Sequence, residues 1–239
     1  MAALHPFPTR TAAQRGISLV EMMVGIAVGL FVVAGASIVV STQLSDNRRL
    51  LLETQLHQDL RATADIITRE LRRAGAEDNA LSHVWSPAGS ASSPRSNITV
   101  AGNLGEVGFE YVRSANPGPW GFKLEQVSSE GVDRGVIRTR ISSGGWQDLT
   151  DANTLNVTDF RVVQLPVVTE TLPCARACSV NPLDTACWPT LSMRSYEIQI
   201  AAQALSDPRV RRSIRSTVRL RNDVLEFDDS LAPNQACPQ

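Results

Sequence analysis

From position 22 to position 45 the chain carries no charged side chain and is mostly apolar, with a single acid, Glu21, at the head of the run. About 20 apolar residues rising about 1.5 Å each match a hydrocarbon core about 30 Å thick, so the run predicts a membrane helix. A carboxylate at such depth costs about 2.5 to 3.5 kcal/mol on insertion scales, which calls for a counter-charge. From Asp46 onward the pattern changes. Leu56, Leu60, Ala64, Ile67, Leu71 and Ala74 recur at spacings of three and four, while Arg61, Asp65, Arg69, Arg72 and Arg73 fall off that stripe. This is the period of an amphipathic helix. No proline intervenes between Pro8 and Pro87. One helix is therefore expected from Ile17 to about Ala74, with Gly75 suited to the left-handed conformation that closes helices. Its first half (17–45) would face lipid or other copies of itself. Its second half (46–75) would bury one stripe against a sheet.

Beyond the helix the period shortens to two. Residues 79–94 are rich in Ser, Ala, Pro and Gly and read as a surface loop. Strands are expected at 107–113, 122–127, 136–141 and 158–164, bounded by the turn clusters Asn116-Pro117-Gly118-Pro119 and Ser142-Ser143-Gly144-Gly145. The clearest alternation places Tyr196, Ile198, Ile200, Ala202 and Ala204 on one face. After the turn Ser206-Asp207-Pro208-Arg209, Val210, Ile214, Val218 and Leu220 share a face opposite Arg211, Arg215, Arg219 and Arg221. That is an antiparallel hairpin with one side for packing and one for water. The predicted fold class is α+β: a long N-terminal helix packed on an antiparallel β-sheet head that occupies 76–239. A single head fits the 239-residue length.

The start of the apolar run carries a motif. Gly16-Ile17-Ser18-Leu19-Val20-Glu21 follows a short leader containing Arg10 and Arg15. Leader, glycine, apolar residue, glutamate and long apolar helix together resemble the class III signal of type IV prepilins and pseudopilins. The resemblance implies a pilin-like fold, removal of residues 1–16 by prepilin peptidase between Gly16 and Ile17, N-methylation of Ile17, and a role for Glu21 in subunit assembly. Ile17 stands where that family most often has Phe, which keeps the position apolar. The stretches from Gln14 to Val24, Arg69-Glu70-Leu71-Arg72-Arg73-Ala74-Gly75 and Thr217-Val218-Arg219-Leu220-Arg221-Asn222 are similar to minor pilins of the PilW type. That similarity implies a minor pilin taking part in initiation or assembly of a pilus fibre, with other minor and major pilins, the prepilin peptidase and the inner-membrane assembly platform as partners. A pseudopilin of the J kind from type II secretion shares the same signal and acid. A reading from another class is a membrane-anchored periplasmic binding protein or adhesin with an uncut leader.

Charge and cysteines refine this picture. Removing the leader takes away two of 23 basic side chains and no acid, so 21 − 24 leaves −3. With basic residues before the apolar run and none inside it, the bulk of the chain is expected across the inner membrane in the periplasm, and later in the fibre at the cell surface. A secretory signal core of about 7 to 15 residues is shorter than this run and lacks the acid. Cys174, Cys178, Cys187 and Cys237 are an even set suited to disulfides in that compartment. Three connectivities are open, and the favoured ones join Cys174 or Cys178 to Cys187 and tie the other to Cys237. A four-cysteine zinc site is the rival, but the spacing lacks paired short intervals.

His5, His57 and His83 are dispersed, so no imidazole pair for catalysis or metal binding is expected, and neither an enzyme activity nor a cofactor is assigned. Asp223, Glu226, Asp228 and Asp229 lack the spacing of a calcium loop and read as a solvated acidic tail. The arginine row reads as a solvated sheet face, with docking to an acidic neighbour as the alternative. It lacks interleaved aromatics, and with an acidic mature chain this argues against nucleic acid.

Overall fold

A computed structural model describes residues 16–77, 95–101, 105–113, 116–129, 131–228 and 237–238. The chain divides into two compact units, Met1–Arg49 and Leu50–Gln239. Helix α1 runs Leu19–Leu71 and contributes to both. In the first unit every described residue is exposed. Two of its hydroxyls bond within the helix: Ser37 Oγ donates to the Val33 carbonyl at 2.8 Å and Thr42 Oγ1 to the Ile38 carbonyl at 3.0 Å. Polar side chains satisfied by their own helix are compatible with an apolar solvent. By length and composition α1 is apolar enough to cross a membrane.

In the second unit α1 buries Leu56, Leu60, Thr63, Ala64, Ile67 and Leu71, the stripe its period predicts plus one threonine. Thr63 is admitted because its hydroxyl donates to the Asp59 carbonyl at 2.8 Å. The helix closes through short-range bonds, Arg73 N to Glu70 O at 3.0 Å and Ala74 N to Leu71 O at 2.9 Å, before Gly75 turns the chain at φ 78°. A strand over Glu106–Arg113 then captures the exit, since the Gly75 amide donates to the Glu110 carbonyl at 2.8 Å. Asn222 Nδ2 donates to the Ala74 carbonyl at 2.9 Å and the Arg221 amide to the Arg72 carbonyl at 3.3 Å, so carbonyls that a helix end leaves open find donors.

Among the described residues the strands form three antiparallel sheets. The first is a meander of β1 (Thr99–Ala101), β2 (Glu106–Arg113), β3 (Asn116–Ser129), β4 (Val132–Arg140) and β5 (Trp146–Asp148). The second is ordered β10 (Arg211–Arg219), β9 (Ser195–Ala204), β6 (Leu155–Gln164). The third, ordered β11 (Val224–Glu226), β8 (Thr190–Met193), β7 (Val168–Thr171), is small. Alternate residues of the first two sheets, among them Val107, Phe109, Phe122, Phe160, Ile198 and Ile200, close over the helix stripe in one core. Where β4 passes β6 the backbones come so near that a Cβ on Gly135 would lie 2.0 Å from the Val157 carbonyl oxygen. Beside that contact β6 carries a bulge between Val157 and Asp159.

One expectation changes. The cluster 116–119 is the start of β3, not a turn: Asn116 pairs with Arg113 and Pro119 with Glu110. β4 pairs with β3 only from Gly121 onward, so the prolines occupy a stretch with one free edge, where a missing N–H is tolerated. The segment around Cys174, Cys178 and Cys187 contains no strand and is flanked by the paired strands β7 and β8. Every residue of β7 is exposed, so no alternation marks it. The expected loop at 79–94 and most of the leader lie outside the described residues.

Candidate functional site

Gly16, Ile17 and Ser18 precede the helix without regular structure and are exposed. The Ser18 carbonyl accepts the Met22 amide at 3.1 Å, which makes Ser18 the residue flanking the first helical position, Leu19. Serine is favoured there, and Ser18 with Glu21 has the spacing of a capping box, a signal the sequence contained beside the prepilin motif. Glu21 lies in the first turn, where the helix dipole favours negative charge. It is exposed, and no ion pair to it is formed among the described residues. Gly25 and Gly29 stand one turn apart on the helix beyond it, with no atom within 4 Å of the space a Cβ would take. Such positions let another helix approach closely in an apolar medium.

In the second unit, one polar cluster went unread in the sequence. Tyr111 Oη on β2 donates to Glu70 Oε2 on α1, and Arg73 Nη1 holds the same carboxylate at 3.2 Å. Tyr111 is buried and stacks on Trp120 at 4.5 Å. Burial first, then the hydrogen bond to Glu70, push its phenol up to about 12. The available signal was an ionisable pair, Glu70 and Arg73, one turn apart at the end of an amphipathic stripe.

The four cysteines are joined as Cys174–Cys237 and Cys178–Cys187, with Cα–Cα separations of 5.6 Å in both. Among the sequence alternatives, Cys178 is thus the partner of Cys187, and no thiolate is left for the rival zinc site. Among the described residues no group of three or more His, Cys, Asp and Glu could hold a metal. His57 is an exposed helix residue, whereas His5, His83 and Asp229 lie outside the described residues. Along β10, Arg211, Arg215 and Arg219 are exposed, and Arg219 pairs with Asp223 at 3.0 Å. Arg212, on the inward side of the same strand, reaches Glu53 of α1.

A methylation-type helix start, one apolar helix of membrane length, and an antiparallel head built on that helix's amphipathic half define a pilin-type protein. The sequence model of the prokaryotic N-terminal methylation motif matches residues 11–37, and that of prepilin peptidase-dependent protein B matches residues 49–220. The chain belongs to the prepilin peptidase-dependent protein B family. It is a pilin-type protein processed by prepilin peptidase, and no catalytic family is indicated. No match was found among curated proteins or among solved structures.

Proposed function

We propose that this protein is a minor pilin of the PilW type, stored in the inner membrane by its apolar helix with the head in the periplasm, and built into or starting a type IV pilus. Prepilin peptidase cuts between Gly16 and Ile17, and Ile17 becomes the N-methylated end of the mature chain. The observation that carries the reading is the exposed, non-helical Gly16–Ile17 bond directly ahead of a capped helix whose first turn holds Glu21 and whose next 24 residues bear no charge. A peptidase needs extended backbone at the bond it cuts, and the structure leaves that bond outside the helix.

Cleavage creates an α-amino group a few residues from Glu21. In the apolar interior of a fibre the new cation, from this subunit or the next, offsets the Glu21 carboxylate, because opposite charges attract far more strongly there than in water. That pairing sets axial register between subunits, and the exposed apolar helix supplies contact area. The positive leader before the run supports the assigned orientation. The disulfides fit an oxidising compartment.

The test is mass spectrometry of the membrane and fibre forms, with and without the peptidase. Expected is a chain beginning at N-methyl-Ile17, dependent on the peptidase; residues 1–16 still attached in assembled fibres would overturn the reading. Glu21→Ala is expected to leave cleavage intact and to abolish incorporation into fibres. Deletion that stops secretion but leaves piliation untouched would instead assign the protein to a type II secretion system.

A further inference from the structure

The outer face of the five-stranded sheet carries a cleft of about 340 Å3, a size at the small end of ligand sites. In its floor Gly108 on β2 and Gly121 on β3 are paired directly across the ladder, and the Thr99 hydroxyl lies 2.8 Å from the place a Cβ on Gly108 would occupy. One wall is Trp146 of β5, whose ring edge overhangs Gly121, 3.3 Å from the place a Cβ would occupy. Lys123 Nζ sits 4.6 Å from the centre of that ring and does not itself line the cleft. The ring is thereby held as a fixed apolar wall.

Charge in the cleft is arranged differently from the rest of this sheet face. Outside it, Lys123, Glu125, Arg138 and Asp148 neutralise one another in a chain of ion pairs between 2.6 and 3.0 Å. Inside it, Arg140, Glu106 and Glu110 form no ion pair among the described residues. Arg95, which also lines the cleft, holds Glu77 at 3.1 Å. With Arg95 held by Glu77, the wall sets the Arg140 guanidinium against the carboxylates of Glu106 and Glu110, an arrangement that disfavours an anion. It presents donors and acceptors around an aromatic plane.

We propose that this cleft binds a neutral saccharide. A pyranose has an apolar face to lie against Trp146 and a rim of hydroxyls that both donate and accept. The carboxylates of Glu106 and Glu110 would receive its hydroxyl protons, and the Arg140 guanidinium would donate to its oxygens. Charge-assisted bonds of this kind are the stronger ones. The site shares no residue with the helix start.

The test uses the full chain in a detergent without a sugar head group. Methyl glycosides of galactose, mannose and N-acetylglucosamine, with their disaccharides, are titrated by saturation-transfer NMR and tryptophan fluorescence, alongside the zwitterionic dipeptide dialanine. At least one glycoside is expected to bind and perturb tryptophan emission. Trp146→Ala and the more conservative Glu110→Gln should each weaken it by about tenfold or more, while Arg215→Gln on the other sheet leaves it unchanged. Thermal midpoints equal to that of the parent chain show that the variants are folded. Absence of binding by every glycoside at about 10 mM, retention of affinity in both cleft variants, or binding of dialanine alone would overturn the proposal.

Discussion

The buried contact between Tyr111 and Glu70 ties the last turn of α1 to β2, and its energetics follow from the phenol's environment. A hydrogen bond to a charged group contributes about 1.5 to 3 kcal/mol, so Tyr111→Phe should destabilise the head by about that amount. The phenol's affinity for its proton is raised on folding, from 10.0 to about 12. Below pH 10 the group is protonated folded and unfolded, and its contribution is fully present. Between 10 and 12 the unfolded chain ionises first, so the contribution declines and is gone above 12. Thermal unfolding of the parent chain and Tyr111→Phe, followed by near-ultraviolet circular dichroism from pH 8 upward, should give a constant difference to about pH 10 and a shrinking one beyond. Residue-level chemistry was only partly legible in the sequence. Ser18, Glu21 and Gly75 act through neighbours within a few positions, so local pattern shows them. Glu70 is recognised only once β2, some 40 positions away, delivers a hydroxyl to it.

At the scale of elements, α1 and the β9–β10 hairpin are the parts whose periodicity matches their burial. Leu60 is completely buried in the core stripe, and Leu51, on the same helix, is exposed. Leu60→Ala should cost about 2 to 5 kcal/mol through lost transfer energy and the cavity left behind, and Leu51→Ala close to nothing in detergent. Comparing the two thermal midpoints checks this, and equal losses would deny the helix its assigned buried face. Elements without two distinct faces escaped pattern reading. β7 buries nothing, β1 and β5 are three residues each, and the prolines at the start of β3 imitate a turn. Proline is a turn signal only where the missing N–H matters, and a partly free strand edge removes that condition.

For the whole molecule, the two disulfides close loops of very different size, with sequence separations of 63 and 9. In the chain-entropy picture the larger loop contributes about 4 kcal/mol and the smaller about 2.5. Replacing Cys174 and Cys237 by Ser should therefore lower the thermal midpoint more than replacing Cys178 and Cys187, and the opposite order would show that the short bridge does more than limit the unfolded chain. Even cysteine number announced that bridges form, while the partners depend on which cysteines the folded head brings together. A similar division runs through the entire chain. The apolar run, the helix stripe, the prepilin-type start and the α+β class were readable from order alone, because each arises from interactions within a turn or between adjacent strands. The disulfide connectivity, the three-sheet topology, the Tyr111–Glu70 contact and the glycine-floored cleft were decided only by tertiary structure, because each joins residues whose separation along the chain carries no periodic signal.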